Sequence, residues 1–140
     1  MYIFEIQPTM VAFINSSINH NSFPRSRVQL LRRAVSDQPT GSTIKFNLGG
    51  GLTAATGGSV SVETIRLDDI SWPSSSIFML KIDVEGFEFN VLRSATNLFA
   101  EKRIQHVIFE YTAWFTDRAP QEVLLSYVQN NLGAHFLYAL

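Results

Sequence analysis

An apolar segment that stops on two carboxylates constrains the fold of this chain more than any other feature of its sequence. Residues 78–92 read FMLKIDVEGFEFNVL: the apolar run ends at Asp83 and Glu85, Gly86 follows directly, and a second apolar pattern begins. In an extended backbone, residues two positions apart point to the same side. Glycine allows a tight turn into a following helix. The segment therefore predicts a buried strand, a turn that presents two carboxylates, and a helix.

The rest of the chain alternates between strand-like and helix-like patterns. Apolar, β-rich runs predict strands over residues 2–6, 28–35, 43–48, 60–67, 77–82 and 106–109, and a further strand over 135–140. Helical spacing predicts helices over 9–18, with Thr9 as the cap, over 86–99 and over 120–132, with Gly133 past its end. We expect the strands over 43–48 and 60–67 to form an antiparallel hairpin with a long loop. Alternation of this kind is typical of the α/β class.

The composition bounds the class of protein. A chain of 140 residues, 46% hydrophobic and 16% charged, is long enough for one domain with a sizeable core. The absence of cysteine excludes disulfides, thiolate zinc sites and cysteine nucleophiles. A net charge of -1 gives no reason to expect nucleic acid as a partner. Neither a membrane span nor a signal peptide is predicted, so a cytoplasmic location is favoured.

Acidic side chains follow four of the predicted strands. Glu5, Asp37, Asp83 and Glu110 each stand at, or just after, a strand end. If the strands are parallel, these ends share the sheet edge at which open α/β sheets bind their ligands. Such a rim suits ribose hydroxyls, cationic groups or a metal ion. Glu88 falls in the first turn of the next helix, where we expect it only to complement the helix dipole.

Five short motifs occur in a fixed order along the chain. They are FEIQP (4–8), AVSD (34–37), VETIRLDDI (62–70), FMLKIDVEGFEFNVLRSA (78–95) and HVIFEY (106–111). In kind and order they resemble the motifs of the FkbM family of S-adenosylmethionine-dependent methyltransferases, over roughly residues 2–111. The KIDVEGFE block is the most specific of them. The resemblance implies a Rossmann-like class I methyltransferase sheet, mostly parallel, with helices on both faces.

The resemblance also implies a binding site for S-adenosylmethionine. Glu5 takes the position of the acid that holds the cofactor ribose hydroxyls, and Ile6 lies beside the adenine. Ala34 and Val35 take positions near the other side of the adenine. Asp83 completes the set of cofactor-binding residues.

Catalysis is implied at the strand ends that carry the KIDVEGFE and HVIFEY motifs. Asp83 corresponds to a position close to the reactive methyl group and the substrate. Glu85 beside it corresponds to a base or a substrate-binding acid, and Glu110 stands at the neighbouring strand end. The implied reaction is O-methylation of a small-molecule or sugar hydroxyl, and no metal ligand is implied.

The chain departs from the family pattern at its beginning. Methyltransferases of this kind carry a first strand and a glycine-rich loop before the acid strand, whereas this chain begins at the acid strand. We therefore expect residues 1–140 to form a single partial domain, incomplete at the N-terminus, whose activity on its own is in question. An incomplete sheet exposes an edge that a second copy or a strand-donating partner can cover.

Two other classes of function remain open from the sequence. A metal-dependent nucleotide-sugar transferase would use Asp83 and Glu85, with Glu110, to hold a divalent ion against phosphates. A non-catalytic interaction remnant would use the exposed strand edge. The sequence does not name the methyl acceptor.

Overall fold

The computed structural model describes residues 1–46, 58–101, 103–111 and 121–133. Over these residues the chain forms a mixed α/β structure, as predicted. Its elements in chain order are β1 (Tyr2–Phe4), α1 (Pro8–His20), β2 (Gln29–Leu31), β3 (Ala34–Val35), β4 (Thr43–Phe46), β5 (Val60–Ile65), a 3₁₀ turn (Leu67–Asp69), β6 (Ile77–Ile82), α2 (Glu88–Arg93), α3 (Thr96–Ala100), β7 (Ile104–Phe109) and α4 (Gln121–Asn130). The chain divides into two compact units, Met1–Ile65 and Arg66–Leu140.

The first unit contains two small sheets. Strands β1 and β2 pair in parallel, and β5 lies between β3, to which it is parallel, and β4, to which it is antiparallel. The predicted hairpin is confirmed, with Thr43 opposite Glu63 and Phe46 opposite Val60. Its loop lies outside the described residues. The hairpin brings alternate apolar residues of both strands to one face, which becomes the core of this unit.

The core of the first unit is a cluster of Ala34, Phe46 and Val62. Each comes from a different strand of the three-stranded sheet, and Phe46 is only 1% exposed. Ile6, which follows β1, packs against this cluster. The core therefore ties the chain segment after β1 to the three-stranded sheet.

The second unit is built on a parallel pair of strands. Ile77 of β6 lies opposite Ile104 of β7, and Ile82 lies opposite Phe109. Both strands were predicted, β6 with its observed bounds. The expected burial of β6 is wrong for most of its length: Ile82 is buried, but Phe78 is 66% exposed. A strand with one described neighbour and little packed against it leaves side chains accessible that a central strand would bury.

Three helices pack in the second unit. Leu92 of α2 and Leu124 of α4 are fully buried, and the rings of Phe89 and Tyr127 meet edge to face with centroids 5.2 Å apart. Helix α4 ends at Asn130, two residues before the predicted end, and Gly133 lies past it with a positive φ of 65°, as predicted. Aromatic edge-to-face contacts of this kind add to the apolar burial that holds two helices together.

Most predicted elements differ from the observed ones by at most two residues at an end, but three predictions fail in other ways. The strand over 28–35 is divided between two sheets, because the Arg33 N–H bonds back to Leu31 O (3.0 Å) in a tight turn. The helix over 86–99 is divided into α2 and α3. Thr9 is not a cap: α1 begins at Pro8 after Gln7, and Thr9 lies inside the helix.

The expected single, mostly parallel sheet is replaced by three small sheets among the described strands. Parallel pairing does predominate, in β1–β2, β3–β5 and β6–β7, with β4–β5 antiparallel. Within the described part of the chain, no helix is both long enough and apolar enough to cross a membrane. The predicted strand over 135–140 lies outside the described residues.

Candidate functional site

The turn after β6 has an unusual backbone conformation. Glu85 has a φ of 53° and Gly86 a φ of 93°, two left-handed residues in succession. The left-handed region suits glycine but costs an L-residue such as Glu85 roughly 1–2 kcal/mol. The sequence predicted that Asp83 and Glu85 point the same way because the backbone is extended. The two carboxylates do come together, but the left-handed turn, not an extended strand, brings them there.

A third carboxylate joins them from the neighbouring strand. The Glu110 N–H donates to Ile82 O (3.2 Å), which continues the parallel ladder one residue beyond β7. One carboxylate oxygen from each of Asp83, Glu85 and Glu110 lies within 4.8 Å of the others. We call these three residues the acidic trio. The sequence predicted that they share the carboxyl-end edge of parallel strands, and within this unit the structure brings them together.

The electrostatics of the acidic trio favour a positively charged ligand. Lys81 Nζ lies 2.8 Å from Asp83 Oδ2, but both side chains are more than half exposed, so solvent screens this ion pair and its contribution is small. One lysine beside three carboxylates leaves a net negative site. Chemically, such a site can attract a sulfonium or an ammonium group, bind an oxygen-seeking divalent ion, or accept a proton from a hydroxyl.

Glu88 has a larger part in the site than its predicted dipole role. It is 1% exposed, and its Oε1 accepts hydrogen bonds from the Val84 N–H (3.2 Å) and the Gly86 N–H (3.1 Å). These two amides flank Glu85. The sequence did contain a signal for the burial of Glu88, because it stands between Phe87 and Phe89. A carboxylate within an apolar stretch of helix is a candidate for burial.

The residues predicted to bind the cofactor nucleoside lie in the first unit. Glu5 is partly buried, and its Oε1 accepts the Gln7 N–H at 2.8 Å. Ile6 packs against the cluster that contains Ala34, so two of the predicted adenine neighbours are brought together. Val35 follows Ala34 and is partly buried.

A carboxylate next to an apolar surface is a combination that fits a nucleoside. Ile6, which is partly buried and packs against the buried Ala34, can present an apolar surface to a flat ring, and the Glu5 carboxylate can accept hydrogen bonds from two hydroxyls. The residues present therefore fit the cofactor that the resemblance implied. Asp37 is partly buried in the same unit.

The match to a family model covers nearly the whole chain. The model is described as a methyltransferase FkbM domain, and it matches residues 5–134, which include all the candidate residues named above. The class of protein is therefore a methyltransferase. The chain belongs to the FkbM family, as its motifs predicted, and the match extends past the last motif through α4. A search of curated proteins and a search of solved structures found no match.

Proposed function

We propose that this protein is an S-adenosylmethionine-dependent methyltransferase that methylates a hydroxyl oxygen of a small molecule or a sugar. The observation that carries the proposal is the convergence of the acidic trio where the parallel strands β6 and β7 end. Membership of the FkbM family supports methyl transfer over the nucleotide-sugar transfer that the sequence left open. Family membership and the three parallel strand pairs also support a Rossmann-like fold.

In the first unit, Glu5 would accept hydrogen bonds from the ribose hydroxyls of the cofactor, and Ile6, Ala34 and Val35 would contact the adenine. In the second unit, the Asp83 carboxylate would face a positive charge. When bound, S-adenosylmethionine supplies the methyl group of its sulfonium. The sulfur that loses this methyl group departs as a neutral thioether.

Asp83 and Glu85 have distinct roles in this proposal. Methyl transfer to a hydroxyl requires an oriented acceptor oxygen and removal of its proton. Asp83 orients the acceptor by accepting a hydrogen bond from a second donor of that molecule, such as a neighbouring hydroxyl. Glu85, which is less exposed than Asp83, takes the hydroxyl proton as the new carbon–oxygen bond forms. Glu110 adds negative charge beside both groups and helps to hold a cationic ligand.

Calorimetric titration with S-adenosylmethionine, which carries the sulfonium charge that Asp83 would face, tests the proposal directly. We expect saturable one-to-one binding to the native chain. Asp83→Ala should weaken it about tenfold, since hydrogen bonds and ion pairs to a charged group are worth more than 1 kcal/mol. Glu63→Ala removes an exposed acid on β5, outside the proposed site, and should leave the affinity unchanged. A folded native chain that takes up no ligand contradicts the proposal.

A further inference from the structure

We propose that Glu88 is a positioning residue, whose buried carboxylate holds the turn from Val84 to Gly86 and so makes the acidic trio converge. The catalytic consequence of this inference rests on the proposed function, whereas its structural part does not. Glu88 does not belong to the trio, and we do not expect it to contact the methyl acceptor. It acts through the backbone of the residues that do.

The hydrogen bonds of Glu88 are placed where they control Glu85. One oxygen, Oε1, accepts the amides of Val84 and Gly86, the residues immediately before and after Glu85. With both neighbours tied to one atom, the peptide units around Glu85 have little freedom to rotate. Hydrogen bonds to a carboxylate are about twice as strong as neutral ones, which makes this an effective clamp.

The conformation of the clamped turn is one that Glu85 does not favour by itself. A non-glycine residue with a φ of 53° persists only where its surroundings impose that conformation. Besides the two bonds to Glu88, the turn has one described backbone bond, from the Phe87 N–H to Val84 O at 3.3 Å. Glu88 therefore supplies most of the polar contacts that oppose relaxation of the turn.

The burial of Glu88 carries a cost that helix stability does not explain. The other carboxylate oxygen, Oε2, is buried and has no hydrogen-bond partner among the described residues. An exposed acid at the same helix end would complement the dipole without this desolvation. A buried carboxylate that lowers stability yet shapes a turn is typical of residues that serve a site.

Nuclear magnetic resonance of the 140-residue chain labelled with ¹⁵N tests the structural part. In Glu88→Gln the amide proton signals of Val84 and Gly86 should move upfield, because a neutral amide replaces the carboxylate acceptor. They should move further in Glu88→Ala. Glu101→Gln, at an exposed acid after α3, should leave both signals in place. Unchanged Val84 and Gly86 signals in Glu88→Gln would overturn the proposal, whether or not Glu88→Ala folds.

Binding of S-adenosylmethionine by the same variants tests the functional part. We expect affinity to fall about tenfold in Glu88→Ala, because small misplacements at a site are costly, and Glu88→Gln to recover most of the loss. Native affinity in a Glu88→Ala chain whose turn signals have moved would overturn the positioning role. If the native chain itself does not bind, the proposed function fails instead, and the resonance comparison alone decides whether Glu88 holds the turn.

Discussion

At the scale of single residues, Glu85 combines a proposed chemical role with an unfavourable backbone conformation. Its φ of 53° is incompatible with the extended conformation that the sequence predicted. The left-handed conformation of Glu85 therefore lowers the stability of the fold, but it sets the position of the carboxylate. Glycine is free of this penalty, because it has no Cβ to clash with the following carbonyl oxygen.

Two substitutions at position 85 separate the strain from the charge. Glu85→Gly should have a higher free energy of unfolding than Glu85→Ala by about 1 kcal/mol, because alanine keeps the left-handed penalty while the greater freedom of glycine in the unfolded chain offsets part of it. Urea unfolding followed by circular dichroism measures the difference. Both variants lose the same carboxylate, so the difference between their stabilities reports the backbone alone. Equal stabilities of the two variants would argue against strain at this turn.

At the scale of elements, the break between α2 and α3 has a cause outside both helices. Asp68, from the 3₁₀ turn, accepts the Asn97 N–H and the Leu98 N–H, each at 3.1 Å. Ala95, the residue before α3, has no side chain that could cap the helix. Asp68 supplies the missing cap from 29 residues away.

Removal of this cap should destabilise the second unit. Asp68→Ala should lower the free energy of unfolding by about 1–2 kcal/mol, the usual cost of losing a helix cap at a buried position. Faster hydrogen exchange at the amides of Asn97 and Leu98 would locate the effect. Glu101→Ala, at the other end of α3, should change stability little or raise it slightly, because an acid there opposes the helix dipole. An Asp68→Ala variant with the same free energy of unfolding as the native chain would contradict the capping role.

The backbone around Ser94 reinforces the same break. Ser94 Oγ donates to Val91 O (2.6 Å) and accepts the Leu67 N–H (3.4 Å), and the Asp68 N–H donates to Ser94 O (2.9 Å). These contacts satisfy polar groups that a continuous helix would pair internally. The two short helices are thus held in place by the 3₁₀ turn, Leu67–Asp69.

At the scale of the whole molecule, the near balance of charge determines solubility. The net charge is -1 at pH 7 and the isoelectric point is near 6.3. Molecules close to zero net charge repel one another weakly. We expect the lowest solubility near pH 6.3, with an increase on both sides, measured as the polyethylene glycol concentration that precipitates half of the protein. A minimum more than about two pH units away would show that charge does not govern association.

Much of the chain's organisation was predictable because its determinants are local. The bounds of β6 followed from a continuous apolar run, the pairing of the hairpin followed from apolar alternation, and Gly133 marked the end of α4. The family followed from short motifs in a fixed order. Each of these depends on neighbouring residues, whose preferences a sequence displays directly.

Tertiary structure alone decided the features that depend on partners distant in the chain or on burial. The capping of α3 by Asp68, the meeting of Glu110 with Asp83, and the burial of Glu88 all arise from packing. Periodicity predicted one helix over residues 86–99, but contacts with another segment made two. The sequence thus determined which carboxylates stand at strand ends, and the fold decided which of them meet, because hydrogen bonds to remote backbone groups can outweigh local preference.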